Sequence, residues 1–299
     1  MKIDDFRRVL ILGAGTMGQQ IGFVCALHGY DVMFYDIKQE ILDESMGRIK
    51  KLAGFFVSIG RITESQIDEI FSRISISTDP EEAAKEVDIV SESVPEDPAL
   101  KSQVFSQFNE RCPERTIFTT NTSMLVPSMI AEATGRPEKF AALHFHDVRS
   151  TNVVDIMPHP GTSEETTHLI EAFAKSIGQT AIMLHKENFG YVFNTMLSSL
   201  FLSALTLASR GVASVEDIDR AWMGVLHTPM GPFGIMDQVG LGTVWTITEY
   251  WAKKQGDKRS QANADFLKQY VEKGHLGAKT RQGFYSYPDP IYTNPDFLD

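Results

Sequence analysis

Four polar residues of this 299-residue chain stand where proton chemistry would need them. Ser123 closes Thr120-Asn121-Thr122-Ser123, just past a strand pattern at residues 116–120. His144 ends the next strand pattern, in Leu143-His144-Phe145-His146-Asp147, and Asp155 lies in a further one at 152–157. Asn194 interrupts an apolar stretch at 191–208. Histidine titrates near neutral pH, so it suits removal of a hydroxyl proton. A carboxylate on the far side of the ring would hold its tautomer and stabilise the imidazolium. A serine hydroxyl and a buried amide would position the reacting oxygen. Spacing alone does not choose between His144 and His146 as the base. Each residue also has a plainer reading: Ser123 as the cap of a helix behind it, Asp155 as a satisfied buried acid. Neither the pair His144/His146 nor His159 has metal-ligand spacing, and no metal is expected.

Oxidation of an alcohol needs a hydride acceptor, and residues 8–36 point to one. A strand pattern runs into Gly13-Ala14-Gly15-Thr16-Met17-Gly18, an apolar helix pattern follows, and a second strand ends in Asp36. Gly13 allows the tight turn, Gly15 lets backbone approach a pyrophosphate, and Gly18 lets the helix pack on the sheet. The free N–H groups of the first helical turn, at Thr16, Met17 and Gly18, face the phosphates. Asp36 stands eighteen residues past Gly18, placed to accept the adenosine ribose hydroxyls. Its charge would repel a 2′-phosphate, so the expected cofactor is NAD.

The elements that must hold these residues follow from periodicity. Strand patterns at 9–12, 32–35, 87–91, 116–120, 140–144, 152–157 and 180–184 alternate with helix patterns, which predicts a largely parallel, doubly wound Rossmann-type sheet. A long excursion at 39–72 predicts a projecting helix pair carrying Arg48, Lys50, Lys51 and Arg61. Helices are also predicted from near Pro98, Val126 and Ser163. After residue 186 the character changes, and an all-helical domain is expected at 187–299, following an NAD-binding domain at 1–186. Residues 191–208 are apolar or small on all sides, which predicts a buried helix and a subunit interface, hence a homodimer through the helical domain. The tail after Tyr287, rich in Pro, Asp and Asn, is expected to be loosely held.

Composition bounds the partners. Hydrophobic residues make up 42% and charged residues 22%, as in a soluble globular protein. A net charge of −11 argues against general nucleic-acid or membrane-surface binding. No run reaches membrane-spanning length, no signal-peptide pattern is seen, and the two cysteines, Cys25 and Cys112, form no framework, so a cytoplasmic setting is expected.

Together, Gly13-Ala-Gly-Thr-Met-Gly18, Ser-Val-Pro-Glu96-Asp-Pro-Ala-Leu-Lys101, Asn121-Thr-Ser123, Leu-His144-Phe, Phe-Gly-Tyr-Val-Phe-Asn194, Met230-Gly-Pro-Phe and Leu-Gly277-Ala-Lys-Thr-Arg-Gln-Gly283-Phe-Tyr resemble the L-3-hydroxyacyl-CoA dehydrogenases. The match runs in order from residue 8 to about 287. The resemblance implies an NAD domain, a helical dimerisation domain and an acyl-CoA substrate. It implies that His144 is the base, with Ser123 and Asn194 on the reacting oxygen, and that Glu96, Lys101 and Asn121 line the NAD site. The family segment His-Phe-Phe-Asn-Pro is here His144-Phe145-His146-Asp147-Val148. The family glutamate aligns with Asp155, the arginine after the family asparagine is Thr195, and a C-terminal glycine is Arg281. These departures cluster on the substrate side. They keep open a free 3-hydroxy acid substrate, gulonate- or carnitine-like, and a dinucleotide-binding protein without turnover. The basic residues of the helix pair would meet a CoA phosphate or form a solvated face.

Overall fold

A computed structural model describes residues 2–298, which divide into two units, Met1–Val192 and Phe193–Asp299. In the first unit, eight strands form one sheet: β1 Arg8–Leu12, β2 Asp31–Tyr35, β3 Ile74–Ser77, β4 Ile89–Glu92, β5 Ile117–Thr120, β6 Phe140–Phe145, β7 Val153–Pro158 and β8 Thr180–Met183. Their spatial order is β3-β2-β1-β4-β5-β6-β7-β8, the doubly wound arrangement. Central strands are buried on both faces, so they read as continuous apolar runs. Along β1, Val9 and Ile11 enter one core cluster while Leu10 and Leu12 enter the other. The edge strand β3, with Ser75 and Ser77 among its four residues, has too weak an apolar signal to be read from sequence.

One pairing departs from the parallel pattern and matters for function. β6 and β7 are antiparallel, because residues 146–152 are too few for the crossover of about a dozen residues that a parallel pair needs. All other pairs in the sheet are parallel.

The helices of this unit are α1 Thr16–Leu27, α2 Gln39–Ser58, α3 Ile67–Ser72, α4 Pro80–Ala83, α5 Pro98–Asn109 and α6 Glu164–Ser176. Capping explains two of the starts. The Asp97 carboxylate accepts from the N–H groups of Ala99 and Leu100, and the Ser163 hydroxyl accepts from Thr166. The helix predicted from near Val126 is absent: 3₁₀ turns at Pro127–Met129, Glu132–Thr134 and Pro137–Lys139 take its place. Pro127 and Pro137 supply no N–H, and Gly135 takes a left-handed conformation that interrupts any longer helix.

The second unit is helical, with α7 Phe193–Ser209, α8 Val215–Leu226, α9 Pro232–Val239, α10 Leu241–Gln255 and α11 Lys258–Val271. Two buried carboxylates stitch it together. Asp219 on α8 accepts from the N–H groups of Phe233 and Gly234 at 2.8 and 2.9 Å, which holds the start of α9, and from the Tyr285 hydroxyl at 2.9 Å. Asp237 on α9 accepts from the N–H groups of Phe284 and Tyr285, both at 2.9 Å, and from the Tyr287 hydroxyl at 3.0 Å. Two sequence-based expectations bear on this unit. The helix expected to be buried all round, now α7, buries only Phe201, Ala204 and Leu205 within this chain, and Met196 and Leu207 are exposed. The tail is not loose: Tyr292 and Phe297 are buried in the core of the unit, and Arg220 Nε donates to the Phe297 carbonyl at 2.7 Å. Two aromatic anchors outweigh the polar composition around them.

Candidate active site

The site grows from the end of β6. Because β6 and β7 run antiparallel with His144 directly opposite Asp155, the two side chains share one face of the sheet. His146, just past the end of β6, also reaches Asp155. The Asp155 Oδ2 atom lies 3.2 Å from His144 Nδ1 and 3.2 Å from His146 Nε2. An ionised carboxylate can only accept, so both ring nitrogens carry their proton there. That leaves Nε2 of His144 with a lone pair. His144 and Asp155 are buried, whereas His146 is partly exposed. Burial alone would raise the Asp155 pKa. The hydrogen bonds from His144 and His146, and the charge those rings can carry, outweigh it and hold the carboxyl below its ordinary value.

The Tyr191 ring packs on His144 with centroids 4.8 Å apart, and the ring of His146 meets His144 edge-on at 4.7 Å. The loop after β6 is tethered from outside: Val148 N donates to Gln20 Oε1 at 3.0 Å, and Arg61 Nη1 donates to the Val148 carbonyl at 3.0 Å. Two members of the basic helix-pair cluster therefore have other engagements, since Arg48 pairs with Glu44. Lys50 and Lys51 are exposed.

A second cluster lies past β4 and β5. Lys101, almost wholly buried, donates to Glu92 Oε1 at 2.7 Å and to the Val94 carbonyl at 3.2 Å, and pairs with Glu96 Oε2 at 3.3 Å. Burial pushes the Glu92 carboxyl up, although Lys101 opposes the shift by charge and hydrogen bond. Thr122 Oγ1 donates to Glu96, and Met124 N donates to the same carboxylate at 3.1 Å. Asn121 Oδ1 accepts from Phe145 N at 2.7 Å, which ties the end of β5 to the end of β6. Ser123 follows in a bend and is partly exposed. Its reading as a helix cap falls, since no α-helix stands behind it.

At the glycine turn, Gly13 has φ +93°, and a Cβ there would sit 2.8 Å from the Ser93 carbonyl. A Cβ on Gly18 would meet the Gly13 carbonyl at 2.0 Å, so only glycine lets α1 close on the turn. At Gly15 a Cβ would meet nothing within 4 Å. That open space lies beside the unpartnered first-turn N–H groups of Thr16, Met17 and Gly18, the shape and polarity a pyrophosphate requires. Asp36 accepts from Ala14 N at 3.0 Å and Ile37 N at 2.9 Å, which fixes its carboxylate at the end of β2 with lone pairs left for ribose hydroxyls.

Residues 8–188 match the family model "3-hydroxyacyl-CoA dehydrogenase, NAD binding domain", and residues 190–287 match the C-terminal domain of the same family. The chain belongs to the 3-hydroxyacyl-CoA dehydrogenase family. It is an NAD-dependent oxidoreductase. A probable 3-hydroxybutyryl-CoA dehydrogenase of Bacillus subtilis is 33% identical over 286 residues, 95% of this chain and 99% of that protein. The human mitochondrial hydroxyacyl-coenzyme A dehydrogenase is 32% identical, over 94% of this chain and 91% of its own. Among solved structures, a diketoreductase described as acting on dicarbonyl compounds superposes with a TM-score of 0.88 at 37% identity, over 94% and 99% of the two chains. The (S)-3-hydroxybutyryl-CoA dehydrogenase PaaH1 of Ralstonia eutropha gives 0.85 at 29%, over 95% and 100%.

Within this family member, His144, Asp155, Ser123, Asn121, Glu96 and Lys101 all belong to the first unit, and Asn194 is the second residue of α7 in the other. Sequence reasoning missed Glu92, the buried partner of Lys101. The sign was an acid at the last position of the short strand Ile89-Val90-Ser91-Glu92. It also missed that His146 shares the Asp155 oxygen, which only the antiparallel register discloses.

Proposed function

We propose that this enzyme interconverts a 3-hydroxyacyl-CoA and the corresponding 3-ketoacyl-CoA. The reading rests on one observation above the rest: Asp155 Oδ2 stands 3.2 Å from His144 Nδ1, so the Nε2 lone pair of a buried ring is available as a base. Bound NAD⁺ supplies the hydride acceptor. His144 takes the 3-hydroxyl proton on Nε2, and returns it in the reverse direction. Asp155 holds the ring in that tautomer and stabilises its charged form. Ser123 and Asn194 hold the substrate oxygen. Asp36 accepts the adenosine ribose hydroxyls and selects against a 2′-phosphate. Glu96 and Asn121 shape the strand ends beside the dinucleotide, and Lys101 anchors Glu96. The exposed apolar side of α7, with Met196 and Leu207, supports a homodimer through the helical unit. Two buried cysteines that form no disulfide accord with a reducing cytoplasm.

A second reading has its own support. The departures at His146, Asp155, Thr195 and Arg281, and the 37% identity to a diketoreductase, favour a keto acid or dicarbonyl that is not a CoA thioester. NADH consumption with acetoacetyl-CoA, set against free 3-keto acids and dicarbonyl compounds, separates the two. Turnover of acetoacetyl-CoA with a kcat/KM at least about tenfold above any free acid supports the first reading, and the reverse order the second.

A further inference from the structure

We infer that His144, His146 and Asp155 together form a binding site for a divalent transition metal of the zinc class, and that metal at this site switches the histidine base off. The inhibition rests on the role proposed for His144 above; the binding does not.

His144, His146 and Asp155 each offer one ligand atom within 4.8 Å of the others, and Asp155 Oδ2 stands 3.2 Å from both His144 Nδ1 and His146 Nε2. Donors that each stand about 2.1 Å from zinc are about 3.4 Å apart in a tetrahedral site, close to the spacing already present, so a small readjustment brings all three onto one ion. Two imidazoles and a carboxylate are a donor set that zinc and its neighbours favour. Backbone geometry has already oriented them. The β6–β7 register places His144 opposite Asp155, and His146, just past the end of β6, already touches the same carboxylate. Little rotamer entropy remains to be lost on binding, because two of the three ligands are buried. His146 is the partly exposed member and offers the way in.

Charge around the cluster also favours a cation. Asp155, Glu92, Glu96 and Glu187 all act on the neighbouring Tyr191 hydroxyl as negative charges, and Lys101 offsets Glu92 and Glu96.

The chemical consequence follows from the tautomer. A neutral imidazole has one lone pair and one N–H. In the metal-free cluster the proton is on Nδ1 of His144, facing Asp155, and the lone pair is on Nε2. Metal on Nδ1 moves the proton to Nε2 with no net change of protons on the ring, and the base has no lone pair left for a substrate hydroxyl. Where the family carries phenylalanine in place of His146, the trio would lack one donor.

Titration of the full chain with ZnCl₂ by isothermal calorimetry tests the site, with His146→Phe and Asp155→Asn as variants of matched shape. NADH fluorescence titration on each variant confirms that the first unit is folded. The expected result is one Zn²⁺ per chain, weakened at least about tenfold in both variants. Co²⁺ should give a visible absorption band of tetrahedral intensity in the wild type and lose it in His146→Phe. Saturable binding unchanged in both variants, or no saturable binding up to about 1 mM Zn²⁺, overturns the site. If zinc binds as expected but dehydrogenase activity is unaffected at saturation, the site stands and the assignment of His144 as base fails.

Discussion

Two buried aspartates, one in each unit, show how partners decide what a carboxylate is for. Asp155 faces two histidine rings, which can carry positive charge, and its carboxyl is held below the ordinary value despite burial. Asp219 accepts from dipoles, the Phe233 and Gly234 N–H groups and the Tyr285 hydroxyl, and feels the like charge of Asp237. Burial dominates there, and the Asp219 carboxyl is pushed up to about 6. Both acids are shielded from water. The first lies between two titratable rings, and the second is a structural pin that receives the start of α9. A buried acid beside a titratable base is a candidate for chemistry; one surrounded by backbone N–H groups is a candidate for architecture.

Variants of the two acids and their partners sharpen this contrast. His144→Gln removes the base while keeping size and polarity. Turnover should fall by about 100-fold or more, with NADH affinity and melting temperature nearly unchanged. Steady-state kinetics beside a fluorescence titration would show it, and an active variant would take His144 out of the mechanism. Asp155→Asn keeps shape but loses the charge. A hydrogen bond to a charged group contributes about 1.5–3 kcal/mol, so kcat should drop roughly 10- to 100-fold. Equal loss of stability and activity would instead make Asp155 a pin like Asp219.

Asp219→Asn should act on stability. The folded-state pKa of about 6 lies above the ordinary 3.8, so between these values the folded chain keeps a proton that the unfolded chain releases. The contribution is therefore full below the lower value and lost as pH rises through the upper one, a change of about 3 kcal/mol at 1.36 kcal/mol per unit. Asparagine does not titrate, and its single oxygen cannot serve three donors. The variant should be less stable than wild type at pH 4, by a margin that shrinks toward pH 7. Denaturant unfolding across that range measures it, and a margin independent of pH would contradict the assignment. The smallest effect belongs to Asp36, a carboxylate at a strand end with lone pairs to spare. Asp36→Ala should weaken NAD binding by about tenfold and narrow the preference over NADP, since one charge-assisted contact is lost and a repulsion removed. Unchanged affinity for both dinucleotides would show that the acid serves only Ala14 and Ile37.

Much of the first unit was legible because its signals are local. Seven of its eight strands follow from apolar runs bounded by turns, and the glycine turn announces itself through residues no more than a few positions apart. The edge strand β3 escaped because a strand paired on one side needs little hydrophobicity. In the second unit, motifs that identify the family turn out to be architectural. A Cβ on Gly231 would meet Asp219 Cγ at 2.4 Å, and one on Gly283 would meet Asp237 Oδ1 at 2.0 Å. Those glycines make room for the two structural acids. The tail was misread because composition weighs every residue alike, whereas Tyr292 and Phe297 anchor it by burial at two points.

The sequence by itself determined the cofactor turn, the alternation of strands and helices, the change to an all-helical second half and the family, because each is written in spacings a helix or strand can read over a few residues. It named His144 as a candidate base and Asp155 as its orienting acid, but not the register that would bring them together. The tertiary structure alone decided the register in which β7 lies beside β6, and with it that one oxygen of Asp155 serves two histidines. A register between strands depends on a short loop and on the packing of the whole sheet. No local pattern in the chain encodes it.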